Sequence, residues 1–371
     1  MKSEIKVCSR CVLDSSVDDI QFYDDGTCNY CTDFVERCLS VVNQSSEQRT
    51  IKRTALVNQI IHDGKGKQYD CIVGVSGGVD SSWALVMAKE LGLRPLAVHM
   101  DNGWNSELAQ NNIENLVKRL DVDLYTHVID WDEYKRLMQA FFCADVIDVE
   151  LLYDNAMLAV NYQLASKYGI KHILSGCNMA TEGVRVPTNW NWFKKDKVNI
   201  KAIAKTQDVS LKTFPAIGTL DYVMYEFVKG IKWLPFLDYF DFNKEEALTK
   251  LESDFYYKRY PYKHYESIFT RFYQGYILPV KFNVDKRKLH FSTLILSGQM
   301  NRKEALKILE SIPYPSVSAL EDDKSYFLKK MGWSANQLET YLNRPPRSHL
   351  DFKSEKIYWD FLKSVYFKIK K

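Results

Sequence analysis

Hydrophobic and polar residues form alternating blocks in the central part of the chain, and the blocks have two different periods. Short apolar runs bounded by turn residues predict four buried strands, at 71–75, 95–100, 124–129 and 172–176. Longer stretches with helical periodicity lie between them, at 106–120, 134–143 and 151–168. Strands that alternate with helices are typical of a parallel sheet covered on both faces, so the pattern predicts a doubly wound α/β fold.

The flanking regions follow other patterns. Residues 1–45 are rich in cysteine, and 46–67 is a polar stretch whose helical periodicity predicts a linker. We place the strand–helix region at 68–210, because the alternation fades beyond it. Residues 211–371 are predicted to be mainly helical and rich in aromatic residues, with a turn-like stretch at 233–242.

The composition is that of a folded globular protein and argues against two classes of function. Hydrophobic residues make up 46% and charged residues 26% of the 371 positions, which allows a sizeable core. No apolar run approaches the ~18–20 residues of a membrane-spanning helix, and the N-terminus lacks a signal-peptide core. The formal net charge of +3 is low for a protein that covers many phosphates of a nucleic acid. We therefore expect a soluble cytoplasmic protein without membrane insertion.

The most specific motif follows the first predicted strand. Ser76-Gly77-Gly78-Val79-Asp80-Ser81-Ser82 joins this strand to a helical pattern. A strand, a glycine-rich turn and a helix N-terminus present unpaired backbone N–H groups to an anion. The glycines allow the backbone to approach closely, the serine hydroxyls add donors, and Asp80 suits a Mg²⁺ ion beside a phosphate. The stretch lacks the Gly-Lys-Ser/Thr ending of a Walker A loop.

Ligands of such sheets bind beyond the carboxyl ends of the strands, so the loops after other strands are candidates as well. Asp101 follows the second predicted strand, and Gly176 ends the fourth. In the next loop we assign Asn178 to ribose or phosphate, Glu182 to Mg²⁺ or the second substrate, and Arg185 to phosphate or leaving pyrophosphate. The alternative for each residue is a polar loop that caps the next helix.

Two Cys-x-x-Cys pairs lie near the N-terminus, Cys8 with Cys11 and Cys28 with Cys31. The 16 residues between the pairs fall within the spacing of a four-cysteine zinc site. Four cysteine ligands leave no position for water, so the predicted Zn²⁺ is structural. Free thiols or a redox pair are the alternative.

Aromatic and basic residues interleave at 263–290. Aromatic rings stack on flat ligand groups and cations pair with diphosphate or carboxylate, so this pattern suits a phosphorylated sugar. A packed aromatic core and a surface for single-stranded nucleic acid are the alternatives. His264 and Glu266 share one short segment and are candidates for general base chemistry toward an attacking amine.

The glycine-rich loop resembles the pyrophosphate loop (PP-loop) of the N-type ATP pyrophosphatases, which split ATP into AMP and pyrophosphate. The cysteine pairs, this loop and four later segments together are similar to the N-acetyl sugar amidotransferases of lipopolysaccharide and flagellar glycan synthesis. The later segments lie at 153–157, 264–267, 285–287 and 297–300. This second resemblance spans nearly the whole chain.

The resemblance implies an adenine nucleotide alpha-hydrolase-like PP-loop domain, with the zinc knuckle before it and a region for substrate or partner binding after it. It implies that ATP adenylates the acetamido group of a nucleotide-linked sugar and that ammonia displaces AMP, which gives an acetamidino sugar for surface polysaccharide (O-antigen) synthesis. ATP, Mg²⁺ and structural Zn²⁺ are the expected cofactors. A separate glutaminase with a cyclase-like barrel subunit is the expected source of ammonia. The alternative is a PP-loop enzyme that modifies tRNA, either a thiolase or a lysidine-type ligase.

Overall fold

A five-stranded parallel sheet forms the centre of the computed structural model, which describes residues 5–261 and 265–369. The strands are β1 (Cys71–Gly74), β2 (Pro95–Asp101), β3 (Leu124–Val128), β4 (His172–Ser175) and β5 (Lys232–Pro235). Their spatial order is β3-β2-β1-β4-β5, and every neighbouring pair is parallel. The predicted α/β sheet and its first four strands are confirmed.

The fifth strand corrects one prediction. The sequence pattern predicts a turn-like stretch from residue 233, but Trp233 lies in β5 and pairs with Ile173 of β4. β5 is an edge strand, which is where a sheet tolerates a proline such as Pro235. β1 and β4 are equally short but buried, whereas β5 is only partly buried and contains Lys232 and Pro235. β5 therefore lacks a buried apolar signal along the chain, and its pairing with β4 decides its structure.

Helices occupy most of the remaining chain. The first nine are α1 (Asn29–Arg37), α2 (Leu39–Val42), α3 (Ser46–Asp63), α4 (Val79–Glu90), α5 (Glu107–Leu120), α6 (Trp131–Cys143), α7 (Leu151–Lys167), α8 (Met179–Glu182) and α9 (Lys197–Lys205). The others are α10 (Thr219–Val223), α11 (Lys244–Phe255), α12 (Ile268–Phe272), α13 (Leu278–Phe282), α14 (Lys286–Leu296), α15 (Arg302–Leu309), α16 (Val317–Met331), α17 (Ala335–Asn343) and α18 (Lys356–Ile369). A π-helical turn, Met224–Val228, continues α10, and another, Tyr273–Ile277, joins α12 to α13. Within the described ranges, no helix combines the length and the apolar character needed to cross a membrane.

The central strands β1, β2 and β4 are buried, as strands of parallel sheets are, whereas the edge strand β3 is partly exposed. Successive side chains of β1 point to opposite faces, so Ile72 packs in one hydrophobic cluster and Val73 in the other. Helix α4 covers one face, where Leu85 is buried with Val73, and α7 covers the other, where Ala159 is buried with Ile72. This arrangement fixes where the chain leaves each strand, and it places the loop after β1 at the carboxyl edge.

The cysteine-rich N-terminal segment packs against helices that lie almost 300 residues further along the chain. The Arg302 guanidinium donates to the carbonyl oxygens of Cys8 and Cys11, at 2.6 and 2.9 Å. The Lys288 ammonium pairs with the Asp14 carboxylate at 2.5 Å. These contacts attach the segment to α14 and α15, and they bring it beside the loop that follows β4.

Candidate functional site

A cavity of about 330 Å³ lies at the carboxyl edge of the sheet. This volume falls within the range of small-molecule sites. Its walls come from the loop after β1, the ends of β2 and β4, one face of α7, and residues from the second half of the chain. The second-half residues are Trp233, Lys244, Leu248, Tyr260, Pro261 and Glu266.

The predicted phosphate loop closes on itself beside this cavity. The Ser76 hydroxyl accepts from the Gly78 amide at 3.2 Å, and the Ser81 hydroxyl accepts from the Ser76 amide at 3.2 Å and donates to the Gly78 carbonyl at 3.1 Å. Ser76, Gly78, Asp80 and Ser81 line the cavity. Ser82 is fully buried beneath the loop and does not line it. The loop therefore presents the N-terminus of α4 to the cavity, as an anion site requires.

Gly77 is a point of close contact in this loop. Its φ of +83° is a left-handed conformation that favours glycine, and a Cβ atom would lie 2.8 Å from the Ala109 carbonyl oxygen. Its own carbonyl accepts from the hydroxyls of Tyr257 and Tyr260, at 3.0 and 3.1 Å. Gly77 thus shapes the loop without lining the cavity. The two tyrosines were missed by sequence reasoning, because only their distance in space relates them to the loop.

The loop after β4 begins directly against α4. A Cβ atom on Gly176 would lie 2.6 Å from the Asp80 carbonyl carbon and the Ser81 amide nitrogen, so a side chain has no room there. Gly176 and Glu182 line the cavity. The Asn178 side chain is buried and caps α8, because its Oδ1 accepts from the Thr181 amide at 2.9 Å. Asn178 therefore has the capping role that was the alternative to ribose or phosphate binding.

Arg185 lies away from the cavity. Its guanidinium pairs with the Asp19 carboxylate at 3.1 Å and stacks over the Tyr30 ring at 4.4 Å, which ties the loop to the cysteine-rich segment. Asp101 also lies outside the lining residues. Its Oδ1 accepts from the Gly103 amide at 2.8 Å and holds the turn after β2. Among the described residues, Asp80 and Glu182 are the predicted catalytic residues that line the cavity.

The buried His99 imidazole supports the phosphate loop from β2. Its Nδ1 lies 2.9 Å from the Val75 carbonyl oxygen, and its Nε2 lies 3.0 Å from the Asn105 side-chain amide. A carbonyl can only accept, so Nδ1 carries the proton and Nε2 accepts from Asn105. Burial lowers the pKa of His99, which keeps the ring neutral and leaves this tautomer in place.

One face of α7 contributes Tyr153, Met157 and Asn161 to the cavity wall. Their spacing of four residues places them in one row along the helix. Asn161 is buried, and its Nδ2 donates to the Met157 carbonyl at 2.8 Å. Its Oδ1 has no hydrogen-bond partner among the described residues, so it is available to a donor on a ligand. Asp154 points elsewhere and pairs with Lys194 at 2.9 Å.

Glu266 brings the C-terminal half of the chain to the phosphate loop. A Cβ atom on Gly78 would lie 3.4 Å from its Oε1. The backbone beside it pairs with the turn after β2, because the Ser106 amide donates to the Glu266 carbonyl and the Ile268 amide donates to the Trp104 carbonyl, both at 2.9 Å. His264, the other candidate in this segment, lies outside the described residues.

The four cysteines of the two pairs form a second site. Their sulfur atoms all lie within 4.8 Å of one another, and three of the separations are 3.7 Å. A tetrahedral ion with metal–sulfur bonds of ~2.3 Å holds its sulfur ligands ~3.8 Å apart. The geometry therefore fits one tetrahedral ion bound by Cys8, Cys11, Cys28 and Cys31, all of which are buried.

Two family models match the chain. Residues 51–215 match the model described as NAD synthase, and residues 266–366 match the model described as LPS biosynthesis protein WbpG-like, C-terminal domain. The chain thus combines an NAD synthase-type PP-loop domain with a WbpG-like C-terminal domain. The resemblance to the PP-loop superfamily is confirmed.

Individual relatives are more distant. A curated protein of Methanocaldococcus jannaschii, named Uncharacterized protein MJ1599, is 34% identical over 120 residues, which are 32% of this chain and 40% of that protein. The NMN synthetase of Francisella tularensis superposes with a TM-score of 0.30 at 16% identity, over 58% of this chain and 99% of that one. The U34-tRNA thiolase NcsA of Methanococcus maripaludis superposes with a TM-score of 0.34 at 12% identity, over 83% of this chain and 89% of that one.

Proposed function

Because residues 51–215 match an NAD synthase model and residues 266–366 match a WbpG-like C-terminal domain, we propose that the chain is an ATP-dependent, AMP-forming amidotransferase. Its substrate is a nucleotide-linked sugar with an acetamido group, and its product is an acetamidino sugar for surface polysaccharide synthesis. One observation carries the proposal. Glu266, the first residue of the WbpG-like match, lines the same cavity as the phosphate loop.

The phosphate loop suits the activating half of this reaction. Ser76 and Ser81 line the cavity at the N-terminus of α4, and we assign the ATP phosphates to this position. Mg²⁺ prefers oxygen ligands, and the carboxylates of Asp80, Glu182 and Glu266 line this cavity. When bound there, Mg²⁺ supplies charge neutralisation for the departing pyrophosphate.

An amide is a poor electrophile, so the acetamido carbon needs a good leaving group before ammonia can attack it. The acetamido oxygen attacks the α-phosphorus of ATP, and pyrophosphate leaves. Ammonia then adds to the activated carbon, AMP departs, and a proton is lost to give the amidine. We assign proton removal from the attacking amine to a carboxylate at the cavity, with Glu266 as the candidate from the WbpG-like segment.

The other residues that line the cavity suit a sugar nucleotide. Trp233, Tyr153 and Tyr260 offer aromatic surface to a sugar or base ring. Lys244 offers a cation to a diphosphate. The unpartnered Oδ1 of Asn161 offers an acceptor to an N–H or O–H group of the ligand. We propose Zn²⁺ as the ion of the four-cysteine site, with a structural role, since its four ligands leave no open position.

The deciding experiment combines the protein with ATP, Mg²⁺, ammonium and a UDP-linked diacetamido sugar. We expect AMP, pyrophosphate and a sugar product that is lighter by one mass unit, because NH replaces O. A parallel reaction contains tRNA in place of the sugar. AMP formation with tRNA alone would refute the sugar assignment and favour the tRNA-modifying alternative.

We also propose that ammonia reaches the protein from a separate glutaminase with a cyclase-like barrel subunit. The purified chain is then expected to form the amidine with ammonium and to form none with glutamine. The ratio of the two initial rates measures this. Equal rates with glutamine and ammonium would contradict the proposed partner and leave the sugar assignment intact.

A further inference from the structure

Two helical segments outside the cavity present large apolar side chains to solvent. The segment that starts with α10 and continues through its π-helical turn exposes 79% of Leu220, 48% of Met224 and 70% of Val228. Helix α18 exposes 75% of Ile357, 70% of Tyr358 and 66% of Phe361. We call these six residues the α10–α18 face. None of them lines the candidate site.

The two segments lie side by side, so their exposed apolar residues belong to adjacent elements. The Thr219 amide donates to the Glu355 carboxylate at 2.7 Å, and three to four residues later the rings of Tyr222 and Trp359 are 5.5 Å apart. Because both contacts advance in the same direction along the chain, the segments run parallel. The Lys195 ammonium lies over both of these rings and closes the space beneath them.

Helix α18 exposes large apolar side chains that a surface helix usually buries. Its Trp359 packs inward, stacked on Phe193 at 5.1 Å, whereas Ile357 and Phe361 point away from the protein body. An amphipathic helix ordinarily buries its apolar stripe in the core of its own domain. The stripe of α18 lies at the surface, next to the stripe of the α10 segment, and this points to burial against another molecule.

The exposed area of the α10–α18 face is compatible with a stable protein–protein interface. At about 200 Å² of surface for a large side chain, the six exposures sum to on the order of 800 Å². The largest apolar patch of a typical monomer is ~300–600 Å², whereas a stable interface buries ~800 Å² on each partner. The six residues carry no charge, and the charged pair Lys356–Asp360 lies beside them. Apolar cores of this kind, with charge at the rim, are typical of permanent homodimers.

We propose that the α10–α18 face binds the same face of a second copy of this chain. A two-fold axis would place the face against itself, so that each residue of the patch is covered by residues of the identical patch. This inference is independent of the proposed function, because it uses no residue of the cavity and its test measures no activity.

The test is the mass of the purified full-length chain by light scattering during size-exclusion chromatography, at micromolar concentration. We expect wild type to have twice the 43.3 kDa of the chain. The double variant Ile357→Glu/Phe361→Glu is expected to be a monomer, because burying unpaired carboxylates is unfavourable. Its dimer dissociation constant should be at least ~100-fold higher than that of wild type. Far-UV circular dichroism checks that its helix content is unchanged.

Ile51→Glu is the matched control. Ile51 lies on α3, is 63% exposed and is outside the face, so this variant is expected to remain dimeric. A monomeric wild-type chain would overturn the proposal, including the case in which the chain associates only with a different protein. A dimer that persists in the double variant, or that is lost equally in Ile51→Glu, would overturn it as well.

Discussion

The two loops that line the cavity are held in different ways. The loop after β1 is closed by hydrogen bonds among Ser76, Gly78 and Ser81, which lie within five positions of one another. Remote support comes from the hydroxyls of Tyr257 and Tyr260 at the carbonyl of Gly77, and from His99 at the carbonyl of Val75. The short segment nevertheless supplies the hydrogen bonds that close the loop.

The loop after β4 depends on residues that are distant in sequence. The Asp238 carboxylate accepts from the Met179 amide at 2.7 Å, and the Gly183 carbonyl accepts from Arg37 and from the Cys38 thiol, at 3.2 and 3.3 Å. The Val184 amide donates to Thr293 of α14 at 3.3 Å. Glu182 is therefore positioned by the cysteine-rich segment on one side and by α14 on the other. The loop after β1 is thus closed mainly by its own hydrogen bonds, whereas the conformation of the loop after β4 depends on the segments packed around it.

The largest expected effect is at the self-supported loop. Asp80→Ala should reduce AMP formation at least ~100-fold, because it removes a carboxylate that we assign to Mg²⁺ beside the phosphates. The variant keeps the loop hydrogen bonds among Ser76, Gly78 and Ser81, so we expect it to fold, and far-UV circular dichroism checks this. Asp132→Ala is the matched control, because Asp132 likewise lies in the first turn of a helix, α6, and it should keep full activity. Full activity of Asp80→Ala would contradict its assignment to the phosphate site.

Loss of the proposed zinc ion tests whether the cysteine-rich segment positions the loop after β4. Cys8→Ser should abolish stoichiometric zinc and lower the free energy of unfolding by several kcal/mol, because we propose that the ion holds the segment together. Glu182 should then lose its position, and kcat should fall about tenfold, an effect of ~1.4 kcal/mol on the barrier. Metal analysis and steady-state kinetics measure the two effects. Zinc loss with unchanged kcat would break the proposed link between the segment and the loop.

Gly183→Ala tests the same link without touching the ion. A Cβ atom there would lie 2.4 Å from the Met179 carbonyl oxygen and 2.7 Å from the ring of Phe34, so α8 must shift away from α1. We expect kcat to fall several-fold, with zinc content equal to that of wild type. The comparison with Cys8→Ser separates displacement of the loop from loss of the metal. Unchanged kinetics would mean that the loop tolerates the shift.

The smallest expected effect concerns pH. Burial raises the pKa of Asp238 from 3.8 to about 6, so its ionisation costs stability as the pH rises through this window. Asn keeps the oxygen that accepts from the Met179 amide and cannot ionise. Asp238→Asn should therefore be more stable than wild type at pH 8, by about 1 kcal/mol after solvent screening, and equal to it at pH 4. Melting temperatures at the two pH values measure this, and a constant difference would contradict it.

Prediction from the sequence succeeded where the signal is local. Short apolar runs bounded by turn residues define the first four strands, and the order of strand, glycine-rich loop and helix places Ser76, Gly78, Asp80 and Ser81 at the cavity. It was less effective for the polar residues after β4. Asn178 and Arg185 have residue types that suit phosphate. In the structure, however, Asn178 caps α8 and Arg185 pairs with Asp19. Spacing along the chain does not reveal which partner a polar side chain meets.

The sequence by itself determined the parallel sheet, the phosphate loop and the four-cysteine site, because each depends on residue types at short, fixed spacing. Only the tertiary structure decided that β5 pairs with β4 and that Glu266 and Tyr260 reach the loop after β1. It also decided that α1 and α14 hold the loop of Glu182. The physical reason is that these contacts join segments separated by tens to hundreds of residues, and their favourable free energy exists only once the whole core has packed.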